Sequence, residues 1–331
     1  MNVLDNLIYK HLKQNKKLPT LNQYNSVVDN PSICSIEEYK ERITQIRQYR
    51  RKLKDLIEIP VIEQRTPQWF EARKTMLSAS DTYRGIRCNK DIVRKKALGL
   101  LGISDETMIL NNAIKWGVMF EPVANIIYSS MNNDINIYEF GLIKDTNLEC
   151  FGASPDGISE LGIMLEIKCP YSREIIHGKV KEEYYCQIQG QLAVCGLEEC
   201  DFAEFKFVQI DRTEYDTMVL ENVQDKFYGI IVEDIDQEAE YNNPNPNPNP
   251  KYLYSSLREP ADEFLPDNYN EIIYWKLEDV HIKRVKFDRK RWDNDFCPKI
   301  RHFWDEVLRV KDINEKLPMR YSTHYFIEDT D

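Results

Sequence analysis

A short apolar run near the middle of the chain, Gly162-Ile-Met-Leu-Glu-Ile-Lys-Cys-Pro, contains two charged residues at alternate positions. If this run forms a β-strand, Glu166 and Lys168 project from the same face. A carboxylate and a lysine are costly to bury unless they are paired with each other or bind a metal ion. Asp156 precedes Glu166 by ten residues, which is enough for a turn and a return strand. The spacing therefore predicts two carboxylates and a lysine that converge on one point.

Such a group suits metal-assisted hydrolysis of a phosphodiester. Carboxylate oxygens are the ligands that Mg²⁺ prefers, and the ion neutralises the negative charge that develops on the scissile phosphate. A lysine beside a bound water favours hydroxide as the nucleophile. A single Glu-x-Lys pattern is also common as a surface salt bridge at a strand edge. The Ser-Pro-Asp-Gly sequence upstream and the Cys-Pro sequence downstream favour the catalytic interpretation.

These motifs resemble the PD-(D/E)xK nucleases, and within them the lambda-type phage exonucleases and YqaJ-like viral recombinases. The resemblance covers residues 60–210 and, more loosely, residues 271–310. It implies that Asp156, Glu166 and Lys168 correspond to the metal-binding and catalytic trio of that family.

The resemblance also assigns roles outside the trio. Glu121, in Trp116-Gly-Val-Met-Phe-Glu-Pro, matches a helix-borne acid that would hold the metal with the trio's two carboxylates and the main-chain carbonyl of Ile167. Gln187 matches a glutamine on the helix beside the active site and would assist the catalytic lysine. A solvated polar helix face is the alternative for Gln187. The cofactor implied is Mg²⁺, for which Mn²⁺ substitutes.

A second group of residues bears on which DNA the site would accept. The resemblance places Arg73 and Ser80 in a pocket for a 5′-terminal phosphate, and Ser154 and Arg173 match two further members of it. An arginine and hydroxyl groups at a helix N-terminus bind a phosphate dianion well. A pocket of this kind measures from a DNA end and so favours an exonuclease. A plain surface charge is the alternative for Arg73.

The elements that must position these residues are predicted from the spacing of apolar residues. Their order is typical of an α/β domain with one mixed sheet. With the resemblance, this predicts a PD-(D/E)xK restriction-endonuclease-like core: a central mixed β-sheet flanked by helices, with an N-terminal helical extension. Helices are predicted over residues 69–73, 112–129, 181–195 and 288–310, and strands over 135–143, 151–154, 162–168, 201–210 and 272–277.

The chain divides into unequal parts along its length. Residues 1–57 are predicted to form the helical extension, with one helix that starts near Ser35 and has a basic face. Residues 58–331 would form the nuclease domain. We expect an acidic insertion at about residues 211–270 to interrupt that domain as an extended, solvated loop, because it contains four Asn-Pro repeats over residues 243–250.

The charge distribution says more about a partner than the net charge of −11 does. The total disfavours nucleic acid, yet residues 1–100 contain 20 Lys and Arg against 11 Asp and Glu. This predicts one basic DNA-facing side.

The chain has no apolar stretch long enough for a membrane span and no signal-peptide pattern at its start. An intracellular location, as a viral or phage protein in a host cell, and no membrane partner are therefore expected. The eight cysteines contain no Cys-x-x-Cys pair and are predicted to be small buried residues.

The function expected from these observations is a metal-dependent DNA exonuclease that acts 5′ to 3′ on linear duplex ends and leaves 3′ single strands for recombination. The resemblance implies a ring-shaped homotrimer and a single-strand annealing protein as partner. One rival is a structure-selective endonuclease or an iron–sulfur single-strand exonuclease of the CRISPR type. Another is a DNA-end-binding recombination module without turnover.

Overall fold

The structure is a computed structural model, and it describes residues 1–103, 111–233, 251–266 and 269–316. Its centre is a seven-stranded mixed sheet with the strand order β2-β5-β6-β7-β10-β8-β9. A separate three-stranded sheet has the order β1-β4-β3, so the single sheet predicted from sequence is divided in two. The strands are β1 Leu77–Ser78, β2 Ile137–Tyr138, β3 Ile143–Lys144, β4 Phe151–Ala153, β5 Gly157–Ser159, β6 Met164–Lys168, β7 Glu199–Ile210, β8 Tyr228–Glu233, β9 Tyr252–Tyr254 and β10 Glu271–Lys286.

Strand β6 lies inside the large sheet. It pairs antiparallel with β5 on one side and parallel with β7 on the other. Its residues are buried as far as Ile167, which explains the nearly continuous apolar run in the sequence. Strands β7 and β10 form a long antiparallel pair, in which Glu204 lies opposite His281 and Asp201 opposite Arg284.

The helices cover both sheets. They are α1 Val3–Asn15, α2 Tyr24–Val27, α3 Ile36–Ile57, α4 Pro67–Lys74, α5 Thr82–Gly85, α6 Lys90–Leu100, α7 Asn112–Met131, α8 Glu182–Cys195, α9 Arg212–Leu220, α10 Ala261–Phe264, α11 Arg289–Arg291 and α12 Cys297–Lys316. The Asn111 side chain caps α7 by accepting a hydrogen bond from the Ile114 amide at 2.9 Å. Helix α8 ends at Gly196, whose φ of 61° suits a glycine at the end of a helix.

The predicted N-terminal helical extension is present and belongs to the same core as the sheet. Helix α3 begins with a capping box in which Ser35 and Glu38 bond each other's main-chain amides. Apolar residues of α1 and α3 pack in one cluster with α7, β6, β7 and β10. At the centre of α7 and β7, the rings of Phe120 and Phe207 stack with their centroids 4.5 Å apart. Helix and sheet therefore share one apolar interior.

The extended loop predicted for residues 211–270 is wrong for much of that segment. Helix α9 begins directly after β7, and β8 pairs with β10 over six residues as part of the large sheet. Strand β9 then extends the sheet by pairing with β8. The apolar residues of β8 are buried, so they outweigh the acidic composition around them. The Asn-Pro repeat over residues 243–250 lies outside the described residues.

None of the described helices combines the length and the apolarity that crossing a membrane requires.

Candidate active site

The carboxylate of Glu166 is the centre of the site. Its side chain is fully buried on β6, and Lys168 donates a hydrogen bond to its Oε1. Two glutamines of α8 complete its surroundings: Gln187 Nε2 donates to Oε1 at 2.6 Å, and Gln191 Nε2 donates to Oε2 at 2.7 Å. These donors satisfy both oxygens of the buried carboxylate.

Asp156 lies on the turn that leads into β5. Its Oδ2 accepts a hydrogen bond from the Ile167 main-chain amide at 2.7 Å, which ties the turn to β6. Desolvation raises the pKa of Asp156 well above its ordinary value, and the negative charges of Glu166 and Glu121 raise it further. Lys168 and the Ile167 amide oppose that shift. The three predicted metal-binding carboxylates are thus close enough to repel one another.

Glu121 reaches the site from α7 and is held by an arginine. Arg65 Nη2 donates to Glu121 Oε2 at 2.8 Å, and both side chains are partly exposed. Within the described parts of the chain, no three His, Cys, Asp or Glu side chains are grouped tightly enough to form a ready metal-ion site. Each carboxylate is instead satisfied by its own donors.

Lys168, like Asp156, is partly exposed. Burial lowers the pKa of its ammonium, but Glu166 and then Asp156 raise it more, so that the net pKa lies above the ordinary value. Its Nζ also lies 5.3 Å from the centroid of the Tyr184 ring. Lys168 is therefore a charged hydrogen-bond donor beside Glu166.

Arg73 and Ser80, predicted to share a pocket, do lie together. Arg73 Nη2 donates to Ser80 Oγ at 3.2 Å and to Ser78 Oγ at 2.9 Å. The guanidinium lies 4.1 Å from the centroid of the Trp69 ring. These contacts, made by α4 and by the short 3-10 turn Ala79–Asp81, form what we call the serine–arginine pocket.

Ser154 joins this group through a tryptophan. Trp69 Nε1 donates to Ser154 Oγ at 3.0 Å, so the indole that stacks on Arg73 also contacts the chain two residues before Asp156. The serine–arginine pocket is thereby connected to the acidic site.

Arg173 has no recorded contact with the other three predicted pocket residues. It follows β6 in the chain, and its Nη2 donates to the buried Glu204 at 2.6 Å. Its guanidinium lies 5.7 Å from the Tyr184 ring, on the Lys168 side of the site. Glu204 pairs in register with Lys168 across β6 and β7, which explains the location.

Several residues of the site were assigned no role from sequence. Gln191 shares a helix face with Gln187, so four-residue spacing on α8 was the signal for it. Arg65 has a positive φ of 64° just before α4, and no short-range pattern connects it to Glu121. Lys96, one of the many cations among residues 1–100, is 93% buried, and its Nζ donates to the Arg73 carbonyl at 2.7 Å.

The fold and the site have the arrangement that the sequence predicted. A mixed sheet is flanked by helices, with Asp156 on a turn and Glu166 and Lys168 on the neighbouring strand. More particularly, residues 68–198 match the family described as the YqaJ-like viral recombinase domain.

Individual relatives were found by sequence and by fold. The chain is 26% identical over 362 residues to the uncharacterized protein R354 of Acanthamoeba polyphaga mimivirus. That alignment covers 91% of this chain and 65% of the relative, so the chain spans about two thirds of that protein's length. An alkaline exonuclease from Laribacter hongkongensis, LHK-Exo, is similar in structure with 21% identity and a TM-score of 0.49, over 76% of this chain and 97% of that one. A phage related exonuclease from Haemophilus somnus 129PT shows 14% identity and a TM-score of 0.40, over 73% and 96% of the two chains.

Proposed function

We propose that this protein is a Mg²⁺-dependent deoxyribonuclease that degrades the 5′ strand from the ends of linear duplex DNA. The observation that carries the proposal is the convergence of Asp156, Glu166 and Lys168 on one point, with the serine–arginine pocket connected to that point through Trp69. The matched viral recombinase domain, residues 68–198, contains all of these residues.

The donor set fits a divalent cation. Burial and the charges of Glu166 and Glu121 hold the pKa of Asp156 well above its usual range, and a cation between the carboxylates would remove this repulsion. Glu121 would have to exchange Arg65 for the metal. With the Ile167 carbonyl, these carboxylates are the ligands that we assign. A bound Mg²⁺ neutralises charge on the scissile phosphate and lowers the pKa of a bound water, and Mn²⁺ would substitute.

The remaining residues would orient the reacting groups. Lys168 would hold the attacking water by donating a hydrogen bond and would stabilise negative charge on the phosphate. Gln187 and Gln191 would fix the Glu166 carboxylate in one orientation. These hydrogen bonds leave the side chains of Glu166 and Lys168 little conformational freedom.

The serine–arginine pocket supports the choice of an end-directed enzyme. A guanidinium stacked on Trp69 and bonded to two serines is already ordered for a phosphate dianion. A strand held by its 5′ phosphate would be cut at the adjoining acidic site, and a 3′ single strand would remain for an annealing protein. A ring-shaped homotrimer around the duplex would keep the enzyme on its substrate. Arg173 donates to Glu204 and would have to exchange this carboxylate for the 5′ phosphate to complete the pocket.

Digestion of linear duplexes labelled separately at each 5′ and 3′ end, with Mg²⁺ or with EDTA, tests this proposal. We expect loss of 5′ label first, a requirement for the divalent ion, and no cutting of closed circular DNA. Initial loss of 3′ label, or cutting of the closed circle, would contradict the direction or the need for an end.

The pocket itself is tested by Arg73→Ala. We expect this variant to lose activity on 5′-phosphorylated duplex far more than on duplex with 5′-hydroxyl ends. Equal loss on the two substrates would contradict the binding of the 5′ phosphate by Arg73 but would not contradict the proposed nuclease activity.

A further inference from the structure

Lys96 has an unusual environment for a lysine. It lies on the inward face of α6 beside Ile92, Val93 and Ala97, which pack into the apolar cluster under the serine–arginine pocket. Its side chain is only 7% exposed, and the structure records one hydrogen bond for its ammonium, to the main-chain carbonyl of Arg73. Two of its three N–H groups therefore have no hydrogen-bond partner among the described residues, although a buried ammonium is costly without partners.

The surrounding charges make the position electropositive. The positive charges of Arg73, on α4, and of Lys95, which precedes Lys96 on the same helix, both act on Lys96. Asp81, on the 3-10 turn, is the acid that bears on both Lys96 and Arg73. Ser78 engages part of that acid by donating a hydrogen bond to Asp81 Oδ2 at 3.2 Å. The charge of one carboxylate therefore acts on both the buried Lys96 and the half-buried Arg73, and a second anion would be stabilised here.

Lys96 also completes the fixation of Arg73. Trp69 stacks on the guanidinium, Ser78 and Ser80 accept its hydrogen bonds, and Lys96 binds its carbonyl in the last turn of α4. A cation at the last carbonyls of a helix is favourable, so the lysine stabilises this end of α4. The main chain and the side chain of Arg73 are thus both held.

We propose that Lys96 is a positioning residue for the 5′-terminal phosphate, which fixes Arg73 through its carbonyl and adds a buried positive charge behind the pocket. This inference rests on the proposed function, because it concerns the phosphate that the pocket would bind. Burial, first, and Arg73 lower the pKa of Lys96 to about 8, against the opposing effect of Asp81. The charge of Lys96 is consequently lost in a range where a terminal phosphate, with its second pKa near ~6, stays a dianion.

The test is the preference for 5′-phosphorylated over 5′-hydroxyl duplex between pH 7 and pH 9.5. It is measured as the ratio of KM values with Mg²⁺ and as the ratio of Kd values in EDTA. In the wild type we expect both ratios to show a preference that falls by roughly tenfold as Lys96 loses its charge. Lys96→Met should have a weak preference that does not change with pH, whereas Lys96→Arg should keep a strong preference at high pH.

Arg94→Met is the matched control, because it removes a positive charge from an exposed position of the same helix, and Arg94 is not among the charges that act on Lys96. It should behave as the wild type does. A Lys96→Met variant that retains the preference and its pH dependence would refute the role of Lys96 alone. So would a decline in Lys96→Arg at the same pH as in the wild type, a measurement that stands even if Lys96→Met does not fold. A wild type that binds both ends equally in EDTA would refute the pocket together with Lys96, whereas phosphate-dependent binding without cleavage would refute only the nuclease.

Discussion

At the scale of single residues, a substitution of Lys168 should affect DNA cleavage but not DNA binding. It donates to Glu166, which keeps two further donors from α8 when the lysine is removed. Lys168→Ala should therefore leave the fold and DNA binding intact while it lowers the cleavage rate by roughly two to four orders of magnitude. Single-turnover cleavage of end-labelled duplex and anisotropy measurements of binding check the two halves. Lys179→Ala, an exposed lysine in the loop that follows β6, is the control. Retained cleavage with Mg²⁺ would refute the role assigned to Lys168.

The ionised carboxylate of Asp156 is expected to lower the free energy of unfolding, although the proposed function requires it. Its folded pKa is raised, by burial first and then by Glu166 and Glu121, so its contribution to stability is present below the unfolded pKa and is lost as pH rises through the folded pKa. At pH 8 the ionised carboxylate destabilises the metal-free protein. Asp156→Asn should consequently be inactive and yet more stable than the wild type at pH 8, by about 1–2 kcal/mol.

Thermal unfolding with and without Mg²⁺ checks that expectation. The advantage of Asp156→Asn in EDTA should shrink toward pH 4, and Mg²⁺ should raise the Tm of the wild type but not that of the variant. A variant that is less stable than the wild type at pH 8 would show that the carboxylate is structurally required.

At the scale of elements, the close approach of α8 to the small sheet determines how the two parts of the site meet. A Cβ at Gly190 would lie 2.8 Å from Phe151 Cζ and 3.0 Å from Thr82 Oγ1, so α8 needs a glycine there. Gly190→Ala should push α8, with its two glutamines, away from Glu166. We expect a loss of about 1–3 kcal/mol in stability and a lower kcat.

Urea denaturation and steady-state cleavage measure these effects. Gly117→Ala is the control, since nothing lies within 4 Å of a Cβ at that position of α7, and alanine favours a helix by up to about 1 kcal/mol. If Gly190→Ala matches the wild type in both stability and kcat, α8 does not depend on this contact.

The elements that could be predicted from sequence are those whose residues face an apolar core at regular spacing, such as α7, α8 and β6. Strand β10 shows why others could not. Only residues 272–277 were predicted, whereas the strand continues through a charged stretch to Lys286. There Arg284 pairs with Asp201, and His281 lies 3.3 Å from Glu204, so partners on β7 replace the apolar signal. Such cross-strand pairing cannot be inferred from spacing along one strand. The Arg65–Glu121 pair in the site is likewise a contact between distant parts of the chain.

At the scale of the whole molecule, a buried ionic cluster joins the N-terminal helices to the sheet. Arg42 of α3 bonds Asp5 of α1 at 2.5 Å and Glu199 of β7 at 2.7 Å. Arg284 of β10 contacts the same two acids and Asp201. Burial raises the pKa of Glu199, but Arg42 and Arg284 together lower it by more, so the net pKa is below the ordinary value. The contribution of Glu199 to stability is therefore present above its unfolded pKa and lost as pH falls through the folded one.

Removal of Arg42 should consequently destabilise the extension and the sheet together, as one unit. Arg42→Met leaves Asp5 and Glu199 buried without one of their shared cations, which typically costs about 3–5 kcal/mol. We expect a single cooperative transition at lower urea concentration, with circular dichroism and tryptophan fluorescence changing together, because the apolar cluster of α1 and α3 is continuous with that of the sheet. Arg51→Met, at an exposed position of the same helix, should differ from the wild type by no more than about 0.5 kcal/mol. Two separate transitions in Arg42→Met, the first without loss of DNA cleavage, would show instead that residues 1–57 fold independently of the nuclease domain.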